Sequence, residues 1–349
     1  MPATTDATLT RLLKETSRSF YLTLRMLPRK VRPQIGLAYL LARTTDTIAD
    51  TGLLPLEDRA RALEKLRGRI LGTDSGSLDL GELARRQGQP AERALLENCE
   101  ASLSELHRLT PPDLGHVRRV LELIISGQEL DLRRFHGATA EQIVALRSDA
   151  ELDDYTYRVA GCVGEFWTAI CRTHLFPNAS LDESRFLADA IRFGKGLQLV
   201  NILRDLPADL RQGRCYLPLE ILTAAGLCPA DLLQPANETR FRPLYGGHLD
   251  LAESHLEAGW RYTNDIPWTQ VRVRLACAWP ILIGLETLRR LRSENVLDPQ
   301  RRVKISRAEV RRLICKSLLY YPWPGAWRGL VPTKSATEGK PVASRADFT

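Results

Sequence analysis

The chain has 349 residues, 44% of them hydrophobic, and a formal net charge of +7. It is long enough to bury a large core, as one big domain or two ordinary ones. No stretch approaches the roughly 20 apolar residues that span a bilayer, and the first residues lack the order of a secretory signal. The expected compartment is therefore the cytoplasm.

The positive charge is compatible with nucleic acid, phosphate-bearing metabolites or an anionic membrane surface. Because no nucleic-acid module is recognisable and the arginines are spread along the chain, small anionic substrates are favoured. The seven cysteines never occur as Cys-x-x-Cys, so we expect reduced thiols, mostly in the core. The six histidines make no zinc spacing, and His107, His116 and His136 are interpreted as helix-surface residues.

Apolar residues recur three and four apart in nearly every segment, which predicts an all-α protein. The predicted helices run from about Asp6 to Met26, Pro33 to Thr51, Leu56 to Leu71, Ala91 to Leu109, Asp113 to Phe135, Asp149 to Phe176, Leu181 to Leu206, Leu249 to Asp265, Gln270 to Ser293 and Ser306 to Leu319.

Two polar segments between these helices, Gly72 to Gln89 and Cys228 to Gly247, are predicted to be surface loops of one bundle rather than domain linkers. We therefore expect one large domain over residues 1–333, followed by a polar, disordered tail over residues 334–349.

Asp46 and Asp50 lie four apart in a predicted helix, so both carboxylates project from one face, which Arg43 and Tyr39 extend. One or two carboxylates, completed by water and phosphate oxygens, suit magnesium bound to a diphosphate. A solvated helix face would give the same pattern.

The same spacing recurs about 160 residues later at Asp205 and Asp209. Polar residues accompany this pair in an otherwise apolar stretch: Gln198, Asn201, Arg204 and Arg214. An unpaired amide would cost about 1–3 kcal/mol if buried, so these side chains call for a polar partner such as a hydrated metal cluster. The recurrence favours chemistry over a solvated face.

Pro207 lies between Asp205 and Asp209 and lacks a backbone donor. It should kink or end the helix near Leu206 and leave Asp209 on a distorted turn. A capped helix end leaving the core is the alternative interpretation.

The segment from Tyr155 to Gly164 places small residues on a predicted helix, where each glycine costs about 1 kcal/mol. Either two helices touch closely there, or space has been cleared for a long apolar ligand beside Tyr155. The two interpretations are compatible.

Taken together, these segments resemble the squalene and phytoene synthases. The resemblance rests on Thr16-Ser17-Arg18-Ser19-Phe20, on Tyr39 through Asp50, on Tyr155 through Gly164 and on Gln198 through Tyr216, in the family's order. It implies head-to-head prenyl transfer by a single large helical bundle of the class I terpenoid synthase type, with a central active-site cavity.

The resemblance also implies roles for particular residues. Magnesium would be held by Asp46, Asp50, Asp205 and Asp209, and diphosphate oxygens by Arg18, Arg43, Arg204 and Arg214. The two substrate sites would be lined by Ser17, Ser19, Phe20, Tyr39, Gln198, Asn201 and Tyr216. Tyr155 matches a tyrosine proposed as proton acceptor, although a phenol of ordinary pKa near 10 is a poor base unless cations or diphosphate assist it.

Within the family, Cys277-Ala278-Trp279-Pro280 and Val303-Lys304-Ile305-Ser306-Arg307 resemble the squalene synthase segment near NADPH. This implies cofactor contacts from Lys304 and Arg307. Ser306 occupies a position that is usually basic in the family, which leaves those contacts open.

The expected activity is therefore that of a squalene synthase, with Mg²⁺ and NADPH as cofactors and farnesyl diphosphate as substrate. Two farnesyl diphosphates would give presqualene diphosphate, and NADPH-dependent rearrangement would give squalene. The alternatives are a presqualene diphosphate, dehydrosqualene or phytoene synthase without the reductive step, and a non-catalytic assembly factor. We expect a monomer with no nucleic-acid partner, for which Leu318 to Val331 could at most rest on a bilayer during product release.

Overall fold

The structure is a computed structural model that describes residues 2–16, 20–298, 300–301 and 303–331. Its elements confirm the all-α prediction. The helices are α1 (Pro2–Thr16), α2 (Phe20–Met26), α3 (Arg32–Asp50), α4 (Leu56–Leu71), α5 (Gly81–Arg86), α6 (Pro90–Glu97), α7 (Cys99–Leu106), α8 (Pro111–Arg134), α9 (Asp149–Thr156), α10 (Cys162–His174), α11 (Glu183–Arg211), α12 (Leu219–Ala224), α13 (Glu238–Asp265), α14 (Val271–Ser293), α15 (Arg307–Tyr320) and α16 (Pro324–Arg328).

Two short strands, β1 (Val144–Leu146) and β2 (Arg214–Pro218), pair in parallel and connect the end of α11 to the start of α9. The core has two main parts. One is built on α11, α13 and α14, and the other on α3, α4, α8 and α10. The candidate site lies where these two parts meet.

The helix predicted from Asp149 to Phe176 contains one π-helical turn, Tyr157–Gly161, between α9 and α10. A Cβ atom on Gly164 would lie 2.1 Å from the Ala190 carbonyl oxygen, and one on Gly194 would lie 2.1 Å from the Ala160 carbonyl oxygen. Close contact between α10 and α11 therefore explains the small residues. Val159 and Val163 of the same segment line a cavity together with Tyr155, which is compatible with the second interpretation.

Of the two effects predicted for Pro207, a kink or a helix end near Leu206, the helix end is wrong, because α11 continues through Pro207 to Arg211. Pro207 cannot donate to the Leu203 carbonyl four residues earlier. The Tyr245 hydroxyl donates to that carbonyl instead, over 3.0 Å and out of contact with solvent. A tertiary contact thus replaces the missing backbone hydrogen bond.

Three further boundaries differ from the predictions. The helix predicted from Ala91 to Leu109 is divided at Asn98 into α6 and α7, and the loop predicted from Gly72 to Gln89 contains α5. Helix α13 begins at Glu238 instead of Leu249, inside the second predicted loop. Burial of Phe241 and Tyr245, both 0% exposed, outweighs the breakers that suggested a loop there.

Five of the seven cysteines are buried, Cys228 and Cys315 are exposed, and all are free, as expected. Within the described ranges, no helix combines the length and the apolar character needed to cross a membrane. The predicted disordered tail, residues 334–349, lies outside the described residues.

Candidate active site

A cavity of about 530 Å³ lies between α3, α8, the π-helical turn, α11 and β2. Its polar lining residues include Asp46, Asp50 and three arginines, and its apolar lining residues include Ile124, Phe135 and Val163. A concave site that combines charged groups with apolar side chains suits a small amphiphilic ligand.

The first aspartate pair keeps the expected helical register on α3. Asp46 pairs with Arg43 of the same helix, and Asp50 Oδ1 lies 3.4 Å from Nη1 of Arg214, which begins β2. The pKa of Asp46 is raised to about 6, chiefly by burial in the cavity and then by the charge of Asp50. These two carboxylates therefore repel each other in a partly desolvated position.

The second pair lies on the last turns of α11. Arg204 Nε and Nη2 bind the two carboxylate oxygens of Asp205 at 3.0 and 2.5 Å. The pKa of Asp209 is raised to about 7, first by burial, then by Asp205, with Asp50 and Asp131 adding to the effect. Arg214, which lies 3.4 Å from Asp50, opposes this rise in the pKa of Asp209, so Asp50 and Arg214 both act electrostatically on Asp209.

Asp131, near the end of α8, is a cavity residue that the sequence analysis did not identify. Its Oδ2 accepts a 2.9 Å hydrogen bond from the Tyr216 hydroxyl, while Oδ1 has no hydrogen-bond partner among the described residues. Tyr216 stacks on Tyr155 at 4.7 Å between ring centroids, and their hydroxyls interact. Burial raises the pKa of Asp131 to about 6 and raises that of Tyr155 well above its ordinary value.

The predicted site residues divide into groups by location. The cavity brings together Tyr39, Arg43, Asp46, Asp50, Tyr155, Gln198, Arg214 and Tyr216. Asn201, Arg204, Asp205 and Asp209 follow Gln198 on α11 but do not line the cavity itself. Asn201 is exposed, so its amide is not stranded in an apolar core as the surrounding sequence suggested.

Four of the predicted site residues cannot be placed relative to the cavity. Ser17, Arg18 and Ser19 lie outside the described residues, and of Phe20 only the backbone is described, as the first residue of α2. Tyr39 donates from its hydroxyl to the Thr16 carbonyl oxygen at 3.2 Å, so the chain reaches the cavity just before the undescribed residues.

Besides Asp131, the sequence analysis missed Arg59, Gln128 and His136, which also line the cavity. Arg59 reaches the site from α4 and donates to the Ala49 carbonyl oxygen at 2.9 Å. The sequence did contain a signal for two of these residues. Gln128 and Asp131 lie at helical spacing from Ile124, so they share a helix face with this buried residue. His136 had been interpreted as a plain surface residue.

No group of three or more acidic, histidine or cysteine side chains is close enough to hold a metal within the described part of the chain. The donor set nevertheless fits magnesium, which binds through one or two carboxylates and takes its other ligands from water and phosphate. Burial, and then repulsion by the neighbouring aspartate, raise the pKa values of Asp46 and Asp209, and a divalent cation would relieve that repulsion.

The two predicted NADPH contacts lie elsewhere. Lys304 lines a separate groove of about 280 Å³ together with Arg290, Glu294 and Arg301. Arg307 is exposed at the start of α15, after Ser306, whose side chain caps that helix by accepting from the Glu309 amide at 3.2 Å. The need for this cap explains why serine stands where a basic residue was expected.

The model of the squalene/phytoene synthase family matches residues 13–309. The chain belongs to this family. Its members are prenyl transferases of the head-to-head type, which agrees with the resemblance inferred from the aspartate, arginine and tyrosine motifs.

Three relatives carry different activities at similar identity. The chain is similar to a 15-cis-phytoene synthase of Synechocystis (30% identity, 69% of this chain and 64% of the relative). It is equally similar to a presqualene diphosphate synthase of Rhodopseudomonas palustris (29%, 71% and 75%) and to a squalene synthase of Saccharomyces cerevisiae (29%, 65% and 48%). The matched region is thus less than two thirds of the first relative's length and about half of the third's. Family membership alone does not distinguish these activities.

Solved structures agree on the fold. A structure of TcSQS with the ligand E5700 superposes with a TM-score of 0.72 at 22% identity, covering 88% of this chain and 84% of that one. A ligand-bound dehydrosqualene synthase gives a TM-score of 0.64 at 22% identity, covering 92% and 97%. The expected helical architecture of the terpenoid synthase type is therefore confirmed.

Proposed function

We propose that the chain joins two farnesyl diphosphates head to head, with magnesium, to form presqualene diphosphate. The observation that carries the proposal is the gathering of Asp46 and Asp50 with Arg43, Arg59 and Arg214 around one cavity, where the Asp50 carboxylate lies 3.4 Å from Arg214. Carboxylates and arginines that share a cavity with apolar side chains suit magnesium-bound diphosphates with long hydrocarbon tails.

The arginines and aspartates would act on the departing diphosphate. Bound magnesium, held by Asp46, Asp50, Asp205 and Asp209, would supply Lewis-acid stabilisation of the leaving group. Arg43, Arg59 and Arg214 line the cavity and would stabilise the charge that develops as the C1–O bond of one substrate breaks. The bonding electrons leave with the diphosphate, and an allylic cation remains.

The apolar lining residues Ile124, Phe135 and Val163 would protect that cation from water while the alkene of the second substrate attacks it. Closing the cyclopropane then requires the loss of one proton from carbon. Tyr155 lies at the cavity but is itself a poor acceptor, since burial raises its pKa. Asp131, linked to it through Tyr216, has a pKa near neutrality and suits the base better.

The reductive second step, which would make the chain a squalene synthase, is part of the proposal. The groove beside Lys304 brings together three cationic side chains, as a phosphate-bearing cofactor requires. It shares no lining residue with the cavity, so it supports contacts to the phosphate end of NADPH and not to the nicotinamide. Because the groove and the cavity are separate, the second candidate function is that of a presqualene diphosphate synthase, which lacks the reductive step.

Product identification tests both steps. Purified protein is incubated with farnesyl or geranylgeranyl diphosphate and Mg²⁺, with and without NADPH. We expect presqualene diphosphate from the C15 substrate without NADPH and squalene with it. Presqualene diphosphate in both reactions would select the second candidate, and phytoene from the C20 substrate would change the assigned substrate. No turnover of either diphosphate would leave the non-catalytic alternative.

We also propose peripheral contact with a membrane through the outer face of α15 and the residues before α16. Leu318, Leu319 and Trp323 are 47, 62 and 59% exposed. Arg312 and Lys316 are exposed beside them, and such a mixture of apolar and basic side chains suits an anionic bilayer surface.

Co-sedimentation with vesicles of phosphatidylglycerol or of phosphatidylcholine tests this contact. We expect binding to the anionic vesicles that Leu319→Glu weakens and that Leu251→Glu leaves intact, since Leu251 is 42% exposed on α13. Equal sedimentation of both variants would remove α15 from the proposal.

A further inference from the structure

Pro207 creates a defect at the point of α11 where the second aspartate pair is displayed. It lies inside the helix, two residues after Asp205 and two before Asp209. Because proline has no N–H, the Leu203 carbonyl loses its donor from the following turn, and the proline ring crowds that carbonyl. A helix weakened there would separate Asp205 from Asp209.

The helix is not interrupted, and one side chain accounts for this. Tyr245 of α13 donates its hydroxyl to the Leu203 carbonyl oxygen at 3.0 Å. Leu203 and Tyr245 are both 0% exposed, so water cannot substitute for this donor. An unsatisfied carbonyl in such a position would be costly, which makes the tyrosine hydroxyl the structural replacement for the missing amide.

Tyr245 is itself firmly held. Its ring packs 5.2 Å from that of Phe241, and the Arg242 guanidinium lies 5.6 Å from its centroid. Arg242 in turn donates to the carbonyl oxygens of Leu291, in the last turn of α14, and of Glu294, just after it, at 2.9 and 2.5 Å. The hydroxyl is thus aimed at α11 by contacts that join three helices.

We infer that Tyr245 is a positioning residue for the proposed magnesium and diphosphate site, acting through the Leu203 carbonyl to keep Asp205 and Asp209 on one helical face. The inference rests on the proposed function of those two aspartates. Among the described residues, Tyr245 makes no hydrogen bond to either aspartate. Its role depends on the proline at position 207.

A double-mutant cycle of Tyr245→Phe and Pro207→Ala tests the inference, because alanine restores the N–H that proline lacks. Binding of farnesyl thiodiphosphate, which does not ionise, is measured by calorimetry at several Mg²⁺ concentrations. Tyr245→Phe should weaken Mg²⁺-dependent binding about tenfold, the effect of leaving one buried carbonyl unsatisfied near the site. In the Pro207→Ala background the same change should have less than about a twofold effect.

Tyr262→Phe is the matched control. Tyr262 is 1% exposed on the same helix, and its hydroxyl accepts from Thr168 at 3.0 Å, away from the end of α11. It should leave the Mg²⁺ dependence unchanged even if it lowers the unfolding temperature. Wild-type binding by Tyr245→Phe, or a defect that persists in the Pro207→Ala background, would overturn the inference.

The thermal unfolding temperatures of the four proteins separate this inference from the proposed function. If the wild-type protein binds no farnesyl thiodiphosphate, the proposed site fails, and the positioning role fails with it. Rescue of the Tyr245→Phe unfolding temperature by Pro207→Ala would then show only that the hydroxyl replaces the proline's donor. Absence of that rescue would refute the hydrogen-bond replacement itself.

Discussion

Asp131 has the chemistry of a base in a position where the proposed reaction must release a proton. Its pKa is raised to about 6, chiefly by burial, while the hydrogen bond from Tyr216 and the charge of Arg134 oppose that rise. The carboxylate is therefore largely ionised at neutral pH. Its pKa also lies close to the pH of the reaction, as general-base catalysis favours.

Asp131→Asn should slow presqualene diphosphate formation by about a hundredfold, the usual contribution of a positioned base. The amide can still accept from Tyr216, so the folded site should be preserved. In the wild-type enzyme the rate should fall below pH 6 as Asp131 takes up its proton, and the variant should show a weaker dependence, which Asp46 and Asp209 retain because their pKa values are raised to about 6 and about 7. The measurement is the rate of presqualene diphosphate formation from pH 5 to 8 in both proteins.

An Asp131→Asn rate equal to that of the wild type would assign the proton to diphosphate or to Tyr155 instead. Loss of farnesyl diphosphate binding in the variant would show that Asp131 holds substrate rather than accepting a proton.

At the scale of the helices, contact between α10 and α11 positions one side of the cavity. Gly164 allows the two backbones to meet, since its Cβ would lie 2.1 Å from the Ala190 carbonyl oxygen. The contact holds the segment that presents Tyr155, Val159 and Val163 to the cavity.

Gly164→Ala should lower the free energy of unfolding by about 3 kcal/mol or more, because the clash is with backbone and cannot be relieved by a rotamer change. Gly115→Ala on α8 is the control. An added Cβ there meets nothing within 4 Å, so the change should raise stability by up to about 1 kcal/mol. Urea denaturation of both variants gives the comparison, and a neutral Gly164→Ala would contradict the close helix contact.

The helical spacing of Asp46 and Asp50 was readable from the sequence because it depends only on residues within one turn. The position of Asp131 and Arg59 at the cavity was not, since they reach it from α8 and α4 through packing between helices distant in the chain, and the helix face that Asp131 shares with Ile124 shows only that it points inward. Pro207 shows that distant residues can also overturn a local prediction. The missing N–H of this proline predicted a kink or a helix end. Tyr245, far along the sequence, donates to the Leu203 carbonyl oxygen instead, and the helix continues.

The fold class followed from apolar periodicity, and the family from motifs spread over about 200 residues. The specific activity did not follow, because relatives that make phytoene, presqualene diphosphate and squalene match at 29–30% identity. The length of the substrate that fits depends on the shape of a cavity built from several helices, which local sequence patterns do not fix.

Stability of the whole molecule should depend on pH through His255, at the packed interface of α11 and α13. Its Nδ1 accepts from Arg192 Nε at 3.1 Å, and its pKa is lowered to about 4 by burial and then by the charges of Arg192 and Lys195, with Asp153 opposing. Between pH 4 and about 6.5 the unfolded chain therefore binds more protons than the folded one. The contribution of His255 to the free energy of unfolding is therefore complete above pH 6.5 and is lost as the pH falls toward 4.

His255→Gln removes the titration while keeping an acceptor for Arg192. From pH 7.5 to pH 5, the wild type should lose about 1–2 kcal/mol more of its free energy of unfolding than the variant, allowing for partial solvent screening. Chemical denaturation at the two pH values measures this difference. Parallel losses in both proteins would mean that His255 is protonated in the folded state.

The most direct test of the proposed function is the formation of presqualene diphosphate from farnesyl diphosphate and Mg²⁺ without NADPH, followed by mass spectrometry. The wild type and Asp79→Asn, whose exposed side chain accepts from the Gly81 amide at 3.0 Å away from the cavity, should both form it. Asp50→Asn should remain folded and form less by at least about a thousandfold, since a ligand of the leaving-group metal is lost. Wild-type protein that forms only farnesol or no product, or an Asp50→Asn variant as active as Asp79→Asn, would contradict the account.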